Sequence, residues 1–254
     1  MAAQSRIALI TGANRGLGRA TALRLAEDGT DLIITYRSHP EEAAAVVEAA
    51  AKLGRTAVAL RLDTVEVASF DAFAAEAGRA LRDSWGRESF DFLVNNAGTG
   101  VMAPFAEMTV EGFDEMVGVH FRGVYFLTQK LLPLIADGGR IINVSSGLTR
   151  FTGHGGSAYA AVKGAVEVLT RYLATELGPR GITANTVAPG PVANDFGGGV
   201  VRDNPRIRAL MDSQTALGRV GEPEDIGGVI AALLSEHTGW INAQRVEASG
   251  GYRL

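Results

Sequence analysis

Short apolar runs alternate with longer stretches whose apolar residues recur at helical spacing, and this rhythm holds almost from end to end. Residues 7–11, 31–36, 56–62, 90–94, 140–144, 182–187 and 245–248 read as strands. Residues 17–28, 40–54, 65–85, 109–135, 157–177 and 224–234 read as helices, several of them stopped by a glycine such as Gly29, Gly54 or Gly178. Strands alternating with helices imply parallel pairing through right-handed crossovers. The strands are apolar without interruption, as in a sheet covered on both faces. The pattern therefore predicts one doubly wound α/β domain over residues 1–254, with about seven parallel strands and helices on both sides.

Two features depart from a plain alternation. From Pro189 to about Gly221 the rhythm breaks at Gly197-Gly198-Gly199, further prolines and scattered charges. A long irregular stretch inside a compact domain is usually a binding loop, so 194–216 is expected to cover a substrate. Helices 109–135 and 157–177 are apolar nearly all round, with Met116, Phe121, Tyr125, Phe126 and Leu131 on one and Val162, Val166, Val168, Tyr172 and Leu177 on the other. Such helices are buried on more than one side. Either they are fully internal, or the second side meets a partner subunit in a homodimer or homotetramer.

Composition narrows the classes. Of 254 residues, 46% are hydrophobic and 20% charged, a globular balance that argues against disorder. A net charge of −4 favours neither nucleic acid nor an anionic membrane. With no cysteine, the chain has no disulfide, thiolate metal site or thiol nucleophile, and no metal site is expected. Met1 to Arg6 runs directly into the first strand, without the apolar core and cleavage site of a signal peptide. No apolar run reaches the ~18 residues of a membrane span. The default location is the cytoplasm.

The chemistry begins at the first strand-to-helix turn, Thr11-Gly12-Ala13-Asn14-Arg15-Gly16-Leu17-Gly18. Glycine at 12 permits a tight turn, glycine at 16 lets a pyrophosphate reach the helix N-terminus, and glycine at 18 allows helix to pack closely on strand. The Gly-x-x-x-Gly-x-Gly spacing is a variant of the Rossmann-like fingerprint, and its place after the first strand supports that reading over a mere glycine-rich turn. The second strand ends Thr35-Tyr36-Arg37-Ser38, without the carboxylate that would accept from a ribose 2′-hydroxyl. Arg37 and Arg15 suit a 2′-phosphate instead, with Ser38 adding a hydroxyl, which predicts NADP(H) over NAD(H). The other reading makes Arg37 a solvated loop charge. Asp63-Thr64 closes the third strand, where a carboxylate would meet an adenine amino group, or where Thr64 would cap a helix.

Tyr159 and Lys163 stand at i and i+4 on one helical face, and Ser146 closes the fifth strand 13 residues before the tyrosine. Together with Thr11–Gly18, Asn95-Asn96-Ala97-Gly98 and Pro189-Gly190, in that order along nearly the whole chain, they resemble a short-chain dehydrogenase/reductase of the compact kind, similar to 3-oxoacyl-carrier-protein reductases and ketoreductases. The resemblance implies that Gly12, Asn14, Arg15, Gly16, Leu17, Gly18, Arg37, Ser38, Asp63 and Thr64 meet the cofactor. It implies that Asn95, Ala97 and Gly98 line the cofactor and brace the central strands, and that Pro189, Gly190 and Val192 fit against the nicotinamide. Tyr159 would donate a proton to a carbonyl as hydride arrives, Lys163 would lower the phenol's pKa and hold the ribose, and Ser146 would orient the substrate oxygen. The implied activity is NADP(H)-dependent reduction of a ketone, aldehyde or 3-oxoacyl substrate.

Two positions depart from the family pattern. His120 stands where an asparagine usually binds a relay water, and imidazole either serves that relay or packs as a satisfied core residue. Asn194 stands where many relatives have a threonine that holds the nicotinamide carboxamide. Two rival readings are a catalytically silent NADP(H)-binding sensor and a cofactor-free lyase like the haloalcohol dehalogenases; Ser146, Tyr159, Lys163 and the intact glycine loop argue against both. Phe151, His154, Phe196 and Met211 are candidate pocket residues that no spacing fixes.

Overall fold

The computed structural model describes residues 5–254; the expectation about the first four residues lies outside them. Seven strands form one sheet: β1 (Ile7–Ile10), β2 (Asp31–Tyr36), β3 (Ala57–Arg61), β4 (Phe90–Asn95), β5 (Ile135–Val144), β6 (Thr183–Pro189) and β7 (Arg245–Ala248). Their order is β3-β2-β1-β4-β5-β6-β7 and every pairing is parallel. The helices are α1 (Gly16–Glu27), α2 (Pro40–Lys52), α3 (Phe70–Trp85), α4 (Val110–Val117), α5 (Gly123–Leu131), α6 (Ser157–Leu177), α7 (Val200–Asp203), α8 (Pro205–Ser213) and α9 (Pro223–Leu234). The expected doubly wound α/β fold is the one observed.

Alternation along the strands divides the core in two. Ala8 and Ile10 of β1, Leu32 and Ile34 of β2 and Val94 of β4 join α1, α2 and α9 on one face. Ile7, Leu9, Ile33 and Leu93 join α3, α5 and α6 on the other. A strand buried on both faces has no polar side to spare, which is why these runs read as continuous in sequence.

Three expected elements are corrected. The helix expected over 65–85 starts at Phe70, because the Val65 N–H is taken by the Asp63 carboxylate and Val67–Ser69 is a 3₁₀ turn. Thr64 is therefore not a helix cap. The single helix expected over 109–135 is divided. A π-turn at Gly118–Arg122 separates α4 from α5, a 3₁₀ turn at Leu132–Leu134 follows at Pro133, and Ile135 already belongs to β5. A π-turn carries one extra residue and recurs at functional sites. The irregular stretch after Pro189 contains α7 and α8. Asn204 caps α8 by accepting from the N–H groups of Arg206 and Ile207, with Pro205 at the first helical position.

Candidate active site

β1 leads outward through β2 to β3, whereas β4 leads the other way, so a crevice opens at the carboxyl ends of β1 and β4. Almost all the motif residues gather along this edge. Gly12 and Gly16 have φ of 64° and 57°, which only glycine adopts without strain. A Cβ at Gly18 would lie 2.4 Å from the Gly12 carbonyl oxygen and 2.6 Å from Asn96 Nδ2, so helix and loop are in backbone contact there. A Cβ at Gly16 would meet nothing within 4 Å, and no side chain caps α1 at Arg15. The first turn of α1 thus presents free N–H groups to open space, a setting suited to a pyrophosphate. Leu17 packs at the edge of the core.

Around this loop, Asn14 Nδ2 donates to Glu42 of α2 at 2.6 Å, fixing the loop to the next βα unit. Arg15, Arg37 and Ser38 are exposed, with Ser38 Oγ 2.9 Å from His39 Nδ1. The Asp63 carboxylate accepts from its own loop at Val65 N, 3.1 Å away. The Thr64 carbonyl is pressed against Gly123 of α5. The side chain of Asn95 is turned inward, donating to Thr128 Oγ1 (3.0 Å) and Asn143 Oδ1 (2.8 Å). Thr11 Oγ1 accepts from the N–H groups of Asn96 and Ala97, and Asn96 Nδ2 reaches the carbonyls of Thr11 and Gly12. Gly98 lies under the His120 ring, 2.8 Å from where a Cβ would stand to His120 Cε1.

On the far side of the crevice, Gly190 donates to the Ala248 carbonyl, and a Cβ on it would lie 2.7 Å from Ser249 Cβ. The backbone after Pro189 forms a parallel bridge with Gly221 through the Pro191 carbonyl and the Ala193 N–H. Such a bridge turns the N–H of Val192 the other way. Asn194 Oδ1 accepts from Phe196 N at 2.9 Å, so its amide oxygen shapes the start of the 194–216 segment rather than standing free for a carboxamide.

Ser146, Tyr159 and Lys163 meet where β5 ends and α6 begins. Ser146 is extended at φ −157°, and its hydroxyl, beside the Tyr159 phenol, accepts from the Leu148 N–H at 3.2 Å. Tyr159 is buried, which raises the phenol's pKa above its ordinary value; the Ser146 hydroxyl lowers it in part. Lys163 Nζ donates to the Val144 carbonyl at 2.7 Å and sits 5.6 Å from the Tyr159 ring centre. Burial pushes this ammonium down to about 7.

His120, placed by the π-turn, meets the Tyr159 ring edge-on with centroids 5.1 Å apart. Its Nε2 lies 2.6 Å from the Thr99 carbonyl, which requires a proton on that nitrogen, and its Nδ1 is buried without a partner. Burial, then the Lys163 charge, push its pKa down to about 3. Phe196 packs on Tyr159 at 5.3 Å and closely over Gly100. Leu148, His154, Ala160 and the exposed Phe105 line an apolar groove beside the tyrosine. Met211 is half-buried on α8. Phe151 is not part of the groove and meets the Tyr252 ring edge to face.

Sequence reasoning passed over two polar networks beneath these residues. Asn95, Thr128, Asn143, Thr170 and Thr186 form a buried chain of hydrogen bonds linking α5, β4, β5, α6 and β6. The clue was a polar side chain inside an apolar strand, Asn143 within Ile141–Val144, because buried polar groups persist only when paired. Glu167 of α6 accepts from Ser145, Thr149 and Arg245, and Arg245 reaches back to the Ser146 carbonyl at 3.4 Å. These contacts hold the strand end that carries Ser146. The described residues contain no cluster able to hold a metal ion, and no helix long and apolar enough to cross a membrane.

A dinucleotide crevice beside a serine, tyrosine and lysine defines a nicotinamide-dependent oxidoreductase acting between C=O and CH–OH. Comparison with known proteins agrees. A family model described as enoyl-(acyl carrier protein) reductase matches residues 12–253. The tetrahydroxynaphthalene reductase PfmaG of Pestalotiopsis fici is 36% identical over 257 residues, covering 97% of this chain and 91% of the relative. LugOII, described as a promiscuous reductase catalysing keto-reduction at C1 during lugdunomycin biosynthesis, superposes with a TM-score of 0.93 at 37% identity over 99% of both chains. The angucycline C-6 ketoreductase LanV, solved with bound NADP, gives 0.93 at 36% identity over 98% of this chain and 96% of its own. LanV has also been solved with NADP and rabelomycin. The chain belongs to the short-chain dehydrogenase/reductase family.

Proposed function

We propose that this chain reduces a ketone on a fused aromatic ring system, drawing on NADPH in preference to NADH, with Tyr159 as the proton donor. The observation that carries the reading is the buried Tyr159 phenol, with the Ser146 hydroxyl beside it and Lys163 Nζ 5.6 Å from its ring centre. NADPH, when bound, supplies the hydride. The glycine loop and the open first turn of α1 would hold its pyrophosphate, Arg15 and Arg37 its 2′-phosphate, and Val192 its carboxamide. Ser146 donates to the carbonyl oxygen and orients it. Tyr159 gives up its proton to that oxygen as negative charge develops there, and the Lys163 ammonium stabilises the phenolate left behind.

The substrate class rests on two supports. Named relatives act on hydroxynaphthalenes and angucyclines. In this chain the tyrosine is walled by flat or apolar groups, namely Phe196, Leu148 and the groove edged by Phe105. Segment 194–216, with α7 and α8, forms the cover. The same reading includes a homo-oligomer built on α4, α5 and α6, which keep Phe113, Tyr125, Phe126, Val168 and Tyr172 exposed.

The test is NADPH oxidation against fused-ring aryl ketones, simple aldehydes, β-keto esters, quinones and enoyl thioesters, repeated with NADH. Fused-ring ketones are expected to give the highest kcat/KM, and Tyr159→Phe to lower kcat by about 10³-fold. Full activity in Tyr159→Phe would remove the tyrosine from the mechanism. Arg37→Ala is expected to raise the KM for NADPH about tenfold and leave that for NADH in place. NADPH binding without turnover of any carbonyl would favour a silent sensor.

A further inference from the structure

The chain does not end at its last strand. Residues 249–254 fold back between the segment leaving α8 and the loop that follows Ser146, and their contacts belong to no element described above. The backbone pairs antiparallel with the segment leaving α8: Ala216 N donates to the Gly251 carbonyl, Leu217 N to Gly250, and Arg253 N to Gln214. Gln214 Oε1 accepts from both Tyr252 OH and Arg253 Nε, each at 2.9 Å.

The same two tail residues grip the loop that leaves Ser146. Arg150 donates to the carbonyls of Tyr252 (2.6 Å) and Arg253 (3.0 Å), and Arg253 Nη1 donates to Thr152 O at 2.9 Å. The Phe151 and Tyr252 rings meet edge to face with centroids 4.9 Å apart, and the Arg253 guanidinium lies over both. Phe151 in turn lies so close to Gly147, the residue after Ser146, that a Cβ there would be 2.6 Å from its ring. Arg253 holds a left-handed φ of 49°, costly for a side chain of its size, and Tyr252 is buried. A strained conformation persists only where its surroundings over-determine it.

We infer that Tyr252 and Arg253 form a strap that ties the Ser146 loop to α8 through Gln214, so that the floor and the cover of the substrate site move as one body. Gln214 and Arg253 are then positioning residues, acting on the carbonyl through Ser146 and the cover. This rests on the reading of Ser146 as the group that orients the substrate, but the coupling is measurable without turnover.

The experiment is hydrogen–deuterium exchange on the cofactor-free full chain, with peptides covering 147–153 and 205–213, in wild type, Arg253→Ala, Gln214→Leu and Gln214→Glu. Both segments are expected to exchange about tenfold faster in Arg253→Ala and Gln214→Leu. Gln214→Glu keeps an acceptor for both donors and is expected to stay within about twofold of wild type. In Arg253→Ala and Gln214→Leu, but not in Gln214→Glu, KM for the preferred ketone should rise about tenfold, with little change in kcat and none in the Kd for NADPH. Faster exchange in only one segment, or in neither, overturns the strap. Faster exchange in both with an unmoved KM leaves a structural brace and overturns the positioning role. A wild type inactive on every ketone refutes the proposed function, while the exchange result still decides the coupling.

Discussion

Lys163 shows what a buried ammonium costs the fold. Its ammonium is buried with the Val144 carbonyl as its hydrogen-bond partner, and burial brings its pKa from 10.5 to about 7. Below pH 7 folded and unfolded chains both hold the proton, and the folded state bears the buried charge. Between about 7 and 10.5 the unfolded chain holds a proton that the folded chain has released, so stability rises with pH across that window. Lys163→Met is therefore expected to melt on the order of 5 °C above wild type at pH 6, with the gap closing toward pH 10. Thermal melts of the cofactor-free pair across this range test it; a gap independent of pH would show that the ammonium is solvated. His120 leads to a different expectation. Held near 3 by burial and the Lys163 charge, it stays neutral throughout the working range. Any inflection of the kcat/KM profile near neutral pH should therefore belong to Lys163 rather than to His120, and His120→Gln should leave its shape unchanged. An inflection there that vanishes in the variant would restore a titrating relay. The sequence left His120 open between relay and packed core. Its pin to the Thr99 carbonyl decides one nitrogen, while the orphaned Nδ1 still faces the interior.

At the scale of elements, the π-turn between α4 and α5 is the feature the pattern hid. Apolar periodicity runs through 109–135 without a gap, because an extra residue in a buried helix rotates the apolar face without exposing it. The legible trace was a pair of glycines with unequal roles. A Cβ at Gly123 would lie 2.3 Å from the Thr64 carbonyl, backbone against backbone, whereas at Gly118 its nearest neighbour is Val65 Cγ1 at 3.5 Å. Gly123→Ala is expected to destabilise by about 3 kcal/mol, and Gly118→Ala by less than about 1 kcal/mol. Denaturant midpoints distinguish them; equal losses would mean that the 63–64 loop gives way freely. The helices within 194–216 were missed for a related reason. Three glycines at 197–199, all with positive φ, dominated the segment's appearance, while the signal that starts α8 was the Asn204-Pro205 pair beyond them. Local start signals were readable there, but they were outweighed by composition.

For the molecule as a whole, the parallel sheet and its crevice at the carboxyl ends followed from alternation and handedness, and the motif residues fell on one sheet edge because each ends a strand or lies in the first turns of a helix. The Glu167–Arg245 pair and the Arg150–Tyr252 contact were not legible. They join positions 78 and 102 residues apart, and no period along the chain records such a meeting. The expectation of a partner subunit is sharpened by what the sheet leaves uncovered. Leu127 and Leu131 of α5 and Ala174 and Leu177 of α6 fill the core, so the inner faces are accounted for. Tyr125 remains 43% exposed and Tyr172 63%, large aromatics that a second copy would bury. A two-fold interface uses the same patch on both subunits, so one substitution acts twice. If α5 and α6 form it, Tyr172→Arg should weaken self-association by on the order of a hundredfold or more, with the fold intact by circular dichroism. Trp240, fully exposed just before β7, supplies the competing site. Sedimentation equilibrium on wild type, Tyr172→Arg and Trp240→Arg separates the cases. Dissociation in the tyrosine variant alone supports the helical interface, and dissociation in the tryptophan variant alone moves it to the β7 edge. A monomeric wild type at micromolar concentration removes it altogether.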